Sequence, residues 1–124
     1  MIDFQNALFV KLRAVHNEKY AQLLSPMLAG EERVVLSFQA VRDGVVFTDK
    51  RAIAINVRGV TGKQIDFTSL PYGKIQAYSV QTAGAMDPDC ELEMYFAGLG
   101  VVRFEFESGT DIFEICRMIS ERAL

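Results

Sequence analysis

Four carboxylates recur at every second position from Asp87 to Glu93, with Asp89 and Glu91 between them. Clustered carboxylate oxygens are the ligands that Ca²⁺ prefers in proteins. The period of two places Glu91 and Glu93 outward on one strand, where they are spread along its length and do not converge. A solvated strand face explains the run, so we expect no metal site.

The residues that could catalyse a reaction lack the partners they would need. His16 is the single histidine, and no triad or zinc-ligand pattern surrounds it. Glu105 and Glu107 both face outward on one strand, with no apolar pocket to support general acid catalysis. The segment 98–100 lacks the helix and lysine of a phosphate-binding loop. We therefore expect a protein that is not an enzyme and that holds no cofactor.

Three cations, Arg42, Arg58 and Lys63, lie in two loops at one end of the predicted sheet. Converging cationic side chains bind phosphate oxygens, so this set could contact an anion or a lipid headgroup. The net charge is −3, which argues against a nucleic acid partner. Solvated turn charges are the simpler interpretation, and headgroup binding stays as the alternative.

The chain shows no feature of secretion or of membrane insertion. Asp3 precedes the first apolar stretch and no basic segment opens the chain, so no secretory signal is predicted. No apolar run reaches the length of a membrane span. Cys90 and Cys116 both lie in apolar surroundings, which indicates two reduced thiols. We expect a cytoplasmic protein.

The apolar periodicity predicts a long helix, then seven strands, then a second helix. Residues 3–24 contain no Gly or Pro, and their apolar residues recur at helical spacing, which predicts the first helix. Alternation predicts strands at 34–40, 45–48, 51–57, 63–69, 74–81 and 90–96, and a last strand that ends at Phe106. Asp111 with Glu114 predicts the cap of the terminal helix.

Two local details refine this arrangement. Asp43 and Gly44 predict a tight hairpin turn, since both residue types tolerate positive φ. The apolar phase slips between Ile75 and Tyr78, which predicts a bulge in the fifth strand. The segment Thr48–Arg51 is most simply a turn, and Arg51 could bridge to an acidic neighbour.

The segments 30–32, 47–53 and 70–75 resemble those of the bacterial pleckstrin-homology-like domains, formerly grouped as a domain of unknown function. The resemblance implies an all-β fold with helices: a seven-stranded antiparallel bent barrel or orthogonal sandwich, capped by the C-terminal helix. It implies one domain over 1–124, with a helical extension over 1–29 and the barrel with its helix over 30–124. It also implies a non-enzymatic protein whose relatives tend to form ring-like homo-oligomers. The chain has no Trp, unlike the eukaryotic branch, so that branch's ligands are not carried over.

Self-association is the interaction that the residues themselves favour. Phe9, Val10 and Tyr20 lie off the main apolar stripe of the predicted first helix, and such a helix usually packs against a second surface. A bent sheet also leaves edge strands, which attract other chains. We therefore expect a homo-oligomer, with the helix or an edge strand at the interface. Another protein partner, and a small molecule in the barrel mouth, remain open.

Overall fold

The fold is one strongly curled sheet of eight strands with a helix at its C-terminal end. The computed structural model describes all residues, 1–124. The elements in chain order are β1 (Phe9–Val15), α1 (Glu18–Leu24), β2 (Val34–Gln39), β3 (Gly44–Thr48), β4 (Arg51–Arg58), β5 (Gln64–Pro71), a 3-10 turn (Tyr72–Lys74), β6 (Ile75–Gln81), β7 (Cys90–Phe96), β8 (Gly100–Phe106) and α2 (Ile112–Ala123). The strand order is β5-β4-β3-β2-β1-β8-β7-β6, so β5 and β6 are the edges.

The predicted helix over 3–24 is wrong in its first half, where residues 9–15 form a strand. β1 pairs antiparallel with β2 and parallel with β8, and so it joins the two halves of the sheet. Phe9 pairs with Phe104 and Leu12 with Phe106, so three steps along β1 match two along β8. This bulge places buried residues three apart, a spacing that resembles a helix in sequence. Only α1 remains helical.

The other predictions of secondary structure are confirmed with small changes at the ends. All seven strands between 34 and 106 are present, as is the terminal helix. The pairing of β6 with β7 shifts register between Ile75 and Ala77, which is the predicted bulge. The Asp111 side chain accepts a hydrogen bond from the Glu114 amide at 3.3 Å, as predicted. The sheet is mixed instead of purely antiparallel, because β1 and β8 run in parallel.

Two apolar layers stabilise the sheet. The main core fills the inside of the curl, and its aromatic centre joins Phe38 and Phe47 of one half to Phe104 and Phe106 of the other. The Phe38 and Phe106 rings meet edge to face with centroids 4.8 Å apart. A smaller cluster joins Tyr20 and Leu24 of α1 to three buried residues of β3 and β4. No helix of the chain is both long and apolar enough to span a bilayer.

Gly44 is required by close packing and not by backbone conformation. Neither Asp43 nor Gly44 has positive φ, so the expectation of a turn that uses this freedom is wrong. A Cβ at Gly44 would lie 2.3 Å from the Tyr20 hydroxyl oxygen and 2.9 Å from the Phe38 carbonyl oxygen. The glycine therefore lets α1 approach the start of β3.

We expect Gly44→Ala to lower the free energy of unfolding by about 1–3 kcal/mol, the usual cost of overpacking. The methyl group must displace either the Tyr20 ring or the β2 backbone. Urea denaturation of Gly44→Ala beside Gly30→Ala measures this, because a Cβ at Gly30 meets nothing within 4 Å. Equal effects of the two substitutions would show that the contact with Tyr20 is unimportant.

Candidate functional site

The structure brings the three predicted cations to one end of the sheet, but two of them are already engaged. Arg42 donates a hydrogen bond from Nη2 to the Gly59 carbonyl oxygen at 2.6 Å. Arg58 Nη2 lies 3.5 Å from an Asp66 carboxylate oxygen and its Nε bonds Asn56. Lys63 is exposed and makes no hydrogen bond or ion pair. This end therefore offers the free ammonium group of Lys63, the charged Arg42 guanidinium group bonded to a carbonyl oxygen, and the Arg58 guanidinium group paired with a carboxylate.

The residues predicted as a self-association surface divide between core and surface. Phe9 is 2% exposed and Tyr20 7% exposed, since β1 and α1 pack both side chains against the sheet of their own chain. Val10 alone is accessible, at 40%. Phe9 and Tyr20 are therefore not accessible to a partner, because Phe9 is buried in β1 and Tyr20, on α1, packs against β3 and β4 of its own chain.

A cleft of about 430 Å³ opens between β5 and the turn after β7. Phe67, Leu70, Phe96 and Leu99 line it. The Ile2 amide donates to the Thr68 hydroxyl oxygen at 3.3 Å, so the N-terminal residues lie beside this cleft. Ile2 is itself buried in the main core, which indicates that the barrel mouth is partly filled by the chain itself.

The acidic run is only partly neutralised from the neighbouring strand. Arg103 of β8 lies 2.9 Å from a Glu91 oxygen and 3.2 Å from a Glu93 oxygen. Burial raises the pKa of Glu91, whereas a hydrogen bond from Glu91 lowers the pKa of Glu93. Glu91 also lies directly opposite Glu105 in the β7–β8 register. No group of three or more His, Cys, Asp or Glu side chains is arranged to hold a metal ion.

Lys11 forms an ion pair with Asp89 from an unusual backbone conformation. Its φ is +56°, and it is the one non-glycine residue with positive φ. It lies within the β1 bulge, and its ammonium group contacts the nearly buried Asp89 carboxylate. The hydrogen bond from Lys11 is the main cause that lowers the pKa of Asp89. The neighbouring Glu105 has a raised pKa, first through burial and then through Asp89.

We expect Lys11→Gly to be more stable than Lys11→Ala by about 1 kcal/mol. Both variants lose the ion pair with Asp89, so their difference reports the backbone strain of a side chain in the left-handed region. Thermal denaturation of the two variants measures the difference. Alanine equal to or above glycine would contradict the strained conformation.

A nearly buried ion pair accounts for two of the segments that carried the family resemblance. The Glu32 side chain is 1% exposed and receives two hydrogen bonds from Arg51, each of 2.9 Å. Glu32 also accepts from the Thr48 hydroxyl group at 2.6 Å and from the Ala29 amide at 3.0 Å. The acidic neighbour predicted for Arg51 is therefore confirmed as Glu32. We call Glu32, Arg51 and the hydrogen bonds around them the latch. The latch is structural, because each of its buried polar side-chain atoms has a hydrogen-bond partner within the chain.

The sequence predicts that the sheet has free edges, but it does not predict which strands form them. β5 pairs with β4 through eight consecutive residue pairs without a register shift, and no strand lies on its other side. β6 pairs with β7 on one side only and carries a bulge near its start. Which strands become edges depends on the path of the chain, which periodicity alone does not reveal.

The outer side of β6, β7 and β8 displays three rows of aligned side chains. We call them the outer rows. The first is apolar (Ala77, Tyr95, Val101), the second is mixed (Ser79, Glu93, Arg103), and the third is acidic (Gln81, Glu91, Glu105). Tyr95 and Val101 are 44% and 46% exposed. The rows therefore form an accessible surface with a charge gradient along the strands.

Comparison with known proteins gives consistent matches along the chain. Residues 3–123 match the family described as "Bacterial PH domain". An uncharacterised protein of Bacillus subtilis, YjqA, is 38% identical over 117 residues, which cover 93% of this chain and 90% of that protein. A second uncharacterised protein of the same organism, YozO, is 28% identical over 101 residues, with coverage of 82% and 87%.

Two solved structures share both fold and sequence with the chain. One is a DUF1696 family protein with a pleckstrin-homology domain from Shewanella loihica: TM-score 0.81, 35% identity, 93% of this chain and 99% of that one. The other is a pleckstrin-homology domain from Shewanella amazonensis: TM-score 0.67, 40% identity, with coverage of 89% and 90%. The similarity thus spans the N-terminal segment as well as the sheet.

Proposed function

The chain belongs to the bacterial PH domain family, and from that premise we propose that it is a non-catalytic interaction module that self-associates into a homo-oligomer. Domains with the PH-like fold are generally binding modules without catalytic activity. The proposal is that the free edge of β5 is the contact between copies. The location of the protein in the cytoplasm remains a prediction.

The continuity of β5 is the observation that carries the proposal. Proteins that stay monomeric usually protect edge strands with bulges, inward charges or very short length. β5 has eight residues in unbroken register with β4, and its proline, Pro71, is confined to the last position. Its single charged side chain, Asp66, is already paired with the Met1 amino group and Arg58 of its own chain. Its free side therefore resembles a template for a further strand, whereas the bulge of β6 limits pairing there.

Apolar side chains beside the β5 edge would add to such a contact. Ile65 and Phe67 are half-buried at the margin of the smaller apolar cluster. A second copy placed against β5 would cover their remaining exposed surface, at about 25 cal/mol per Å² of apolar area removed from water. Backbone pairing would supply direction and register, and the apolar cover would supply affinity.

Light scattering after size-exclusion chromatography tests this proposal. We expect the wild-type chain to have the mass of an oligomer, and Gln64→Lys/Ser69→Lys to have the mass of a monomer. Both positions are exposed on β5, and the added ammonium groups would repel their copies across the edge. Ser69→Lys also removes the acceptor of the hydrogen bond from Arg51 Nη1, so Ser69→Ala, which removes only this acceptor, should keep the oligomeric mass.

The matched control is Gln5→Lys/Ser108→Lys, which adds the same charge at exposed positions outside the sheet. It should keep the oligomeric mass, and thermal denaturation should show that both double variants are folded. A monomeric wild-type chain, or an oligomer that survives the β5 substitutions, would refute the proposal.

Peripheral binding of anionic lipid headgroups at Arg42, Arg58 and Lys63 is the second candidate. The contact of the Arg42 guanidinium group with the loop that follows Arg58 and contains Lys63 supports it. Sedimentation with phosphatidylserine vesicles at physiological salt tests it, with phosphatidylcholine vesicles as control. Binding that Arg42→Ala/Lys63→Ala abolishes is the expected result. Equal sedimentation with both vesicle types would exclude it.

A further inference from the structure

We propose that the free edge of β6 binds an extended segment of another protein, with basic residues at two alternate positions and an apolar residue at the next one. This site is separate from the β5 contact and does not depend on self-association. Extended peptides add to exposed sheet edges through backbone hydrogen bonds, and pockets for alternate side chains give specificity. The register and charges of the outer rows select this occupant.

The outer rows dictate which side chains an added strand would present. A strand antiparallel to β6 places alternate residues opposite Gln81, Ser79 and Ala77, each in line with one row. The bulge between Ile75 and Ala77 confines regular pairing to 77–81. A bound segment therefore has five paired residues, and its first, third and fifth side chains extend the acidic, mixed and apolar rows.

Charge complementarity selects basic residues at the first two of these positions. Arg103 is shared between Glu91 and Glu93, and Lys11 is the single cation beside Asp89 and Glu105. The rows hold three carboxylates and one cation, and with the Lys11–Asp89 pair beside them the surface has four carboxylates and two cations. A residue opposite Gln81 lies two strand spacings from Glu91, about 10 Å between backbones, which a long basic side chain spans.

The apolar row selects the last position. Ala77, Tyr95 and Val101 border a shallow depression of about 160 Å³ that opens outward between the strands. An aliphatic side chain opposite Ala77 would lie against the Tyr95 ring and cover exposed apolar surface. The preferred segment, read from its N-terminal end, therefore has the order basic, any, basic, any, aliphatic.

A second copy is a poor occupant of this edge. The two free edges of another copy, β6 (IQAYSVQ) and β5 (QIDFTSLP), carry no basic side chain. Pairing of β6 with either edge would therefore place no cation opposite the acidic row, whatever the register. Charge on the occupant distinguishes a foreign segment from a second copy of this chain.

Fluorescence anisotropy with synthetic peptides tests the proposal. The probe has the central sequence KTKTV, and the controls are ETETV and the scrambled sequence TKVTK. We expect saturable binding of KTKTV, and at least tenfold weaker binding of both controls. Hydrogen exchange in the complex should show new protection of backbone amides within 77–81 of β6. Equal binding of KTKTV and ETETV would overturn the proposal.

Matched variants locate the site and separate it from self-association. Glu91→Gln/Glu105→Gln should weaken KTKTV binding at least tenfold, whereas Glu107→Gln/Glu121→Gln removes two exposed charges elsewhere and should leave it unchanged. Val101→Lys should weaken binding, and Val60→Lys, at a fully exposed loop position, should not. Peptide binding that is lost with Gln64→Lys/Ser69→Lys, or that maps to β5, would contradict a separate site on β6.

Discussion

Glu32→Ala should lower the free energy of unfolding by about 3–5 kcal/mol, the usual loss when one partner of a buried ion pair is removed. Arg51 would keep its charge in a site that is 19% exposed and would lose both carboxylate contacts. The Thr48 hydroxyl group and the Ala29 amide would lose acceptors as well. The connection between 27–32 and the β3–β4 turn would then be held mainly by the hydrogen bond of Arg51 to the Met27 carbonyl oxygen.

Urea denaturation of Glu32→Ala beside Glu31→Ala measures this effect. Glu31 is the exposed neighbour, and the structure gives it no hydrogen bond or ion pair. Its removal should change the free energy of unfolding by less than about 0.5 kcal/mol. Losses of similar size in the two variants would show that the latch contributes little to stability.

The same ion pair predicts acid sensitivity. The hydrogen bonds from Arg51 are the main cause that lowers the pKa of Glu32 from 4.5 to about 2. Because the folded pKa lies below the unfolded one, the stabilisation is complete above about pH 4.5 and is lost as the pH falls towards 2. The difference corresponds to about 3 kcal/mol. Melting temperatures between pH 6 and pH 2.5 should fall more steeply for the wild-type chain than for Glu32→Gln; parallel curves would contradict this.

Phe106→Ala is the second large effect, and it should cost about 3–5 kcal/mol of unfolding free energy. Phe106 is completely buried where β8 meets β1 and packs on Phe38 and Phe47 from the other half of the sheet. Its removal leaves a cavity at the centre of the curl. Because the contact joins residues far apart in sequence, its loss should loosen both halves of the sheet together.

A double-mutant cycle with Phe38→Leu checks the origin of this effect. The edge-to-face geometry of Phe38 and Phe106 predicts a coupling energy of about 0.5–1.5 kcal/mol. Phe113→Ala is the control, since this ring lies on the exposed side of α2. A coupling energy near zero, or a similar loss from Phe113→Ala, would show that the aromatic centre does not join the halves.

The sequence correctly predicts seven strands and the last helix, because each of these elements has a clear local period of apolar residues. In β7, for example, buried Leu92 and Met94 alternate with Glu91 and Glu93. The pattern of β1 predicts a helix because the bulge at Lys11 spaces the buried residues Phe9 and Leu12 by three positions. A bulge is fixed by the partner strand β8, which lies far away in sequence, so no local pattern reveals it.

For the candidate sites as well, the sequence indicates local features but not the contacts that depend on the tertiary structure. The sequence indicates that Arg51 could bridge to an acidic neighbour, but Glu32 as that neighbour follows only from the tertiary structure. The contacts of Arg42 with Gly59 and of Arg58 with Asp66 likewise depend on tertiary structure. The surface expected at Phe9, Val10 and Tyr20 assumes one long helix, whereas Phe9 and Val10 lie in β1 and Tyr20, on α1, packs against the sheet. The edges emerged only from the strand order.

Hydrogen exchange of the β5 backbone amides, measured at low and high protein concentration, tests the central proposal most directly. The backbone N–H groups of 64–70 that point away from β4 face no other strand in the single chain. If copies associate through this edge, those amides should become protected as concentration rises, while the amides of β6 should not. Fast exchange of these β5 amides at both concentrations would contradict self-association through this strand.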